Sequence, residues 1–104
     1  MKKTQEKKEI RKDVEELLLR FNFTRNDLPE ERQKEYKGYI ATYTVKIQSS
    51  GSEKEYILIC SFFDGIRFAV MDKDHIMALV SFKAETPIHV LEPYITKCAN
   101  FFSL

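Results

Sequence analysis

Tyr56-Ile57-Leu58-Ile59-Cys60-Ser61-Phe62-Phe63-Asp64-Gly65-Ile66-Arg67-Phe68-Ala69-Val70-Met71 is the stretch on which the fold turns. Its first eight residues are apolar on both alternating sets, which suits a strand with neighbours on either side, at the centre of a sheet. Asp64-Gly65 follows, a strong hairpin signal because both residue types reach the positive-φ conformations of tight turns. Ile66–Met71 then reads as the next strand.

Working outward, the upstream segment Tyr39-Ile40-Ala41-Thr42-Tyr43-Thr44-Val45-Lys46-Ile47 has a period of two. Its odd positions make an apolar face, while Thr42, Thr44 and Lys46 make a face that tolerates water. Ser49-Ser50-Gly51-Ser52 supplies the turn into the central strand. Downstream, Asp72-Lys73-Asp74 is a tight turn and His75–Ala84 a further strand, with Ile76, Ala78, Val80 and Phe82 opposite Met77 and Leu79. Short links between four strands make an antiparallel meander.

Helices flank it. Ile10, Val14, Leu17, Leu18 and Phe21 recur at helical spacing and predict a helix over residues 8–23. Asn26-Asp27-Leu28-Pro29-Glu30-Glu31 forms a polar connector into a short second helix over 29–36, ended by Gly38. The last helix opens at Thr86-Pro87 or at Glu92-Pro93, and Leu91, Tyr94, Ile95, Cys98, Phe101 and Phe102 mark its apolar side. The expected architecture is α+β: a four-stranded antiparallel meander with an N-terminal and a C-terminal helix packed on one face. Residues 1–7 read as a flexible basic N-terminus and residues 8–104 as one domain.

Composition narrows the class. Hydrophobic residues make up 43% and charged residues 32% of 104, a balance that fits a globular domain and not a disordered chain. The net charge of +1 advertises no polyanionic partner. No apolar run is long enough to span a bilayer, and two distant cysteines argue against a secreted disulfide scaffold, so the cytoplasm is the expected compartment.

Candidate chemistry is sparse. Cys60, His75, His89 and Cys98 follow no zinc-ligand spacing. Asp64, Asp72 and Asp74 all fall at turns, where Asp bonds its own backbone. No nucleophile elbow or phosphate-binding glycine loop occurs. The expectation is a protein that is not an enzyme, with no metal, cofactor, small-molecule substrate or membrane partner. Eight Phe and five Tyr exceed what two helices need to cover one sheet face. The surplus predicts an apolar surface for a protein partner or a second copy of the chain, built from Ile57, Ile59 and Phe63 with Phe101 and Phe102. A homodimer is the simplest form. The alternative is nucleic-acid binding through the local +4 cluster of Lys2, Lys3, Lys7, Lys8, Arg11 and Lys12 against Glu6 and Glu9, aided by exposed aromatics.

Val14-Glu15-Glu16-Leu17-Leu18 in a leading helix, the strands Tyr39–Ile47 and Tyr56–Phe63, and the closing Leu91–Phe102 give a layout that resembles the type III secretion chaperone-like superfamily. The resemblance implies a small dimeric α+β protein that holds other polypeptides. It covers residues 8–104 by layout and departs in having no helix between the third and fourth strands. No functional residue carries over.

Overall fold

The computed structural model describes residues 9–36, 39–48 and 54–102, the last four by their backbone alone. The expected N-terminal segment 1–7 lies outside these residues. The elements are α1 (Lys12–Arg20), β1 (Thr24–Asp27), α2 (Glu30–Gln33), β2 (Ala41–Gln48), β3 (Glu55–Ser61), β4 (Ile66–Asp72), β5 (His75–Phe82) and α3 (Ile88–Phe102). All strand pairs are antiparallel and the sheet order is β1-β2-β3-β4-β5. The class is α+β as expected and β3 is central, but the meander has five strands among the described residues where the sequence pattern shows four.

The extra strand comes from how α1 ends. The apolar stripe continues to Phe21, yet the helix stops at Arg20. Asn22 takes the left-handed conformation at φ 69°. The Phe23 N–H donates to the Leu18 carbonyl at 3.1 Å and the Asn22 N–H to that of Leu19 at 3.0 Å. This paired arrangement satisfies the last helical carbonyls and reverses the chain. Phe23, only 4% exposed, joins Leu18 in the core. The next four residues then run against the first half of β2, with Thr24 opposite Thr44 and Asp27 opposite Ala41. All four are exposed and polar, so no alternation marks them; backbone pairing alone makes the strand. Asn22→Gly is expected to leave stability within a few tenths of a kcal/mol, whereas Asn22→Val should cost about 1–2 kcal/mol in urea denaturation. Equal stability of the two variants would show that this conformation is not held.

The other helices also depart from the expected bounds. α2 is a single turn, Glu30–Gln33, after Pro29. α3 begins directly after Pro87, and the second proline, Pro93, lies inside the helix. Pro93 removes the donor to the His89 carbonyl. His89 is exposed, so water can reach that carbonyl. Burial of Leu91 before the proline and Ile95 after it, at 0% and 1% exposure, draws the helix through.

α1 and α3 cover one sheet face. Val14, Leu17, Leu18, Leu91 and Ile95 meet Tyr43, Leu58, Cys60, Phe68 and Val70 in a single core. A Phe68–Phe82–Tyr94 aromatic triangle, with centroids 5.3–6.0 Å apart, links β4, β5 and α3. Register and alternation leave Thr44, Lys46, Ile57, Ile59, Arg67, Ala69, Met71 and Leu79 on the opposite, open face. Among the described residues, no helix is long and apolar enough to cross a membrane.

Candidate functional site

The open face is polar at one side and apolar at the other. Near β1, the Asn26 amide donates to the Thr44 hydroxyl at 2.9 Å. Toward β5, two apolar rows cross three strands: Ile59, Ala69 and Leu79 face one another in register, and so do Ile57, Met71 and Ile76. Ile57, Ile76 and Leu79 are 40%, 60% and 49% exposed, too much for a finished core. Lys46, opposite Ile57, and Arg67, opposite Ser61, stand at the margins.

A β-bulge decides the composition of the second row. Val70 faces Ala78 but Met71 faces Ile76, so Met77 is the extra residue in β5. The bulge breaks the alternation of the strand. Ile76, which uninterrupted alternation groups with Ala78 and Phe82, therefore sits on the open face with Leu79.

The residues expected at a binding surface separate accordingly. Ile57 and Ile59 lie together in the apolar patch. Phe63 lies at its end, half-buried, with its ring edge-on to Tyr36 at 5.5 Å and beneath the Arg67 guanidinium at 4.7 Å. Arg67 Nε is buried and meets no hydrogen-bond acceptor among the described residues. Phe101 and Phe102 belong to α3, and their side chains lie outside the described residues. Ala69, Met71, Ile76 and Leu79 complete the patch. Sequence reasoning did not assign them to it, although the alternation of Leu79 was available as a signal.

Of the basic cluster, Lys2, Lys3, Lys7 and Lys8 lie outside the described residues. Lys12 is exposed. Arg11 is engaged: its guanidinium donates to the Ala84 and Thr86 carbonyls at 2.8 and 2.7 Å and pairs with Asp13 at 2.9 Å. The strand aromatics Tyr39, Tyr43, Tyr56, Phe62, Phe68 and Phe82 all belong to the helix-covered core or pack against it. The open face therefore offers few rings for base stacking.

Cys60 is fully buried, and burial pushes its thiol well above the ordinary range, opposite to what a nucleophile needs. Cys98 is also buried, whereas His75 and His89 are exposed. No group of three or more His, Cys, Asp or Glu that could hold a metal occurs among the described residues. Asp72 pairs with Lys54 at 2.8 Å. A cleft of about 340 Å³ opens where β2 runs beyond β1, but neither acid, thiol nor imidazole lines it.

One polar network pins β1 to α1. The Tyr43 hydroxyl donates to Glu15, Arg25 Nη1 donates to Glu15 at 2.8 Å, and Arg25 Nε to Asp27 at 2.8 Å. The Tyr43 hydroxyl first, and Arg25 second, hold the Glu15 carboxyl below its ordinary pKa of 4.5. A lowered folded-state pKa contributes stability above the unfolded value and loses it as pH falls through the folded one. Stability should therefore fall below about pH 4.5, and Glu15→Gln should make that acid limb shallower. Superimposable acid limbs in the two proteins would remove Glu15 from the linkage.

Comparison with known proteins gives no family model, no curated protein and no solved structure that matches this chain.

Proposed function

We propose that this chain is a non-enzymatic protein-binding module, of adaptor, chaperone or inhibitor type, that works through the open sheet face. One observation carries the reading: Ile57, Ile59, Ala69, Met71, Ile76 and Leu79 form a contiguous apolar patch across three strands, with Ile57, Ile76 and Leu79 exposed. An apolar patch of this kind costs solubility unless something covers it, and a partner surface of like character does so by excluding water.

The nucleic-acid alternative has less support. The strand aromatics face the core, and Arg11 is occupied by the chain's own acceptors. The discriminating experiment is affinity purification from the native cell with wild type and Ile57→Lys, with and without nuclease. The expected result is a protein captured by wild type, retained after nuclease and lost with Ile57→Lys. Capture that depends on nucleic acid and ignores the substitution would transfer the function to the basic N-terminal segment.

A further inference from the structure

We propose that β5 pairs antiparallel with β5 of a second copy of this chain, joining two five-stranded sheets into one continuous sheet across a two-fold axis. The inference goes beyond the open-face reading: it adds a contact between copies at the sheet edge and leaves the apolar face free for another protein.

The two sheet edges are built differently. β1 is four residues long, wholly polar, and tied back to α1 by the Arg25–Glu15 pair. Shortness and charge are the usual means of blunting an edge against unwanted pairing. β5 is eight residues long and contains no proline, glycine, Lys, Arg, Asp or Glu. Among the described residues its only strand neighbour is β4. Its first five residues are all exposed, including Ala78, which faces the helix-covered side by register. The helices thus stop short of this edge, leaving room for a second strand on either face.

Charge selects the occupant. Lys73 and Asp74 precede the strand, and Lys83 and Glu85 follow it. Antiparallel pairing centred near Leu79 brings the leading segment of one copy to the trailing segment of the other. Lys73 then approaches Glu85, and Asp74 approaches Lys83. Parallel pairing would instead set Lys83 beside Lys83, and like charges across a ladder oppose pairing. The strand thus carries both halves of a complementary pattern, which is what an isologous two-fold contact requires. A two-fold axis normal to the sheet keeps the helices of both copies on one side. It also runs the Ile59–Ala69–Leu79 row of each copy up to the other, roughly doubling the apolar open face.

Sedimentation equilibrium of the full chain over roughly 1–100 μM, a range that spans micromolar affinity, tests this together with hydrogen exchange of the β5 amides. The expected result is a dimer in which the amides of residues 76–82 exchange more slowly as concentration rises. Leu79→Lys should raise the dissociation constant by about 30-fold or more while the folded circular dichroism spectrum persists. Ile57→Lys, two strands away on the same face, should leave the dimer intact. Equal weakening by both substitutions would overturn edge pairing in favour of face-to-face stacking, with the open-face reading intact. A monomer at the highest concentration would overturn it too, whether the β5 amides exchange fast or are covered by the chain itself. In either monomer case, a protein captured by wild type and lost with Ile57→Lys would still uphold the open face as the binding surface.

Discussion

Phe68→Ala should be among the most damaging single substitutions in this protein, with an expected loss of roughly 3–5 kcal/mol. Phe68 is 1% exposed and sits on the central part of the covered face, opposite Cys60 on β3 and Val80 on β5. Its ring meets Phe82 edge-on at 6.0 Å and Tyr94 at 5.3 Å, so it joins two strands to α3. Truncation removes the buried ring and leaves a cavity between elements that are held apart by one another. Domains of this size have total stabilities of about 5–15 kcal/mol, so such a loss takes a large share. Urea denaturation gives the value directly. A cost below about 1 kcal/mol would mean that helices and sheet close over the gap, and that the aromatic triangle does not hold α3.

Gly65→Ala should cost about 3 kcal/mol, for a different reason. Gly65 turns β3 into β4 at φ +89°, a conformation that side-chain-bearing residues rarely adopt. A Cβ there would lie 2.3 Å from the Phe82 carbonyl oxygen, a backbone atom of the adjacent strand. Relief requires the β3–β4 turn to move away from β5, which would disturb the pairing of Ile66 with Phe82. The same urea measurement checks this, and Gly65→Ala within half a kcal/mol of wild type would show that the turn has another low-energy form. Asp64-Gly65 is recognisable as a hairpin from sequence; the approach of Phe82, seventeen residues later, is not.

The candidate surface was legible in part. Ile57 and Ile59 stand out because β3 is apolar at both parities, and only one parity can face the helices. Phe63 shares the open side but lies beyond the end of β3, where Tyr36 and Arg67 reach it. Those contacts join residues far apart in the chain and leave no local pattern. Alternation carried through Met77 groups Ile76 with Ala78 and Phe82, whereas its pairing with Met71 sets it on the open face. A bulge is a mismatch between two strands, so it becomes visible only when Val70 and Met71 are set against Ala78 and Ile76.

Sequence alone determined the α+β class, the centrality of β3, the β3–β4 hairpin and the amphipathic stripe of Val14, Leu17 and Leu18. Each depends on local periodicity or turn chemistry, which a few neighbouring residues express. Tertiary structure decided the rest. β1 exists because the turn at Asn22 delivers four polar residues to the edge of β2, and backbone pairing needs no apolar code. α3 runs through Pro93 because burial of Leu91 and Ile95 outweighs one missing hydrogen bond. The open face is the one carrying Ile57 and Leu79 because α1 and α3 both dock on the face of Tyr43, Leu58 and Phe68. For a strand apolar on both sides, only the packed helices break that symmetry.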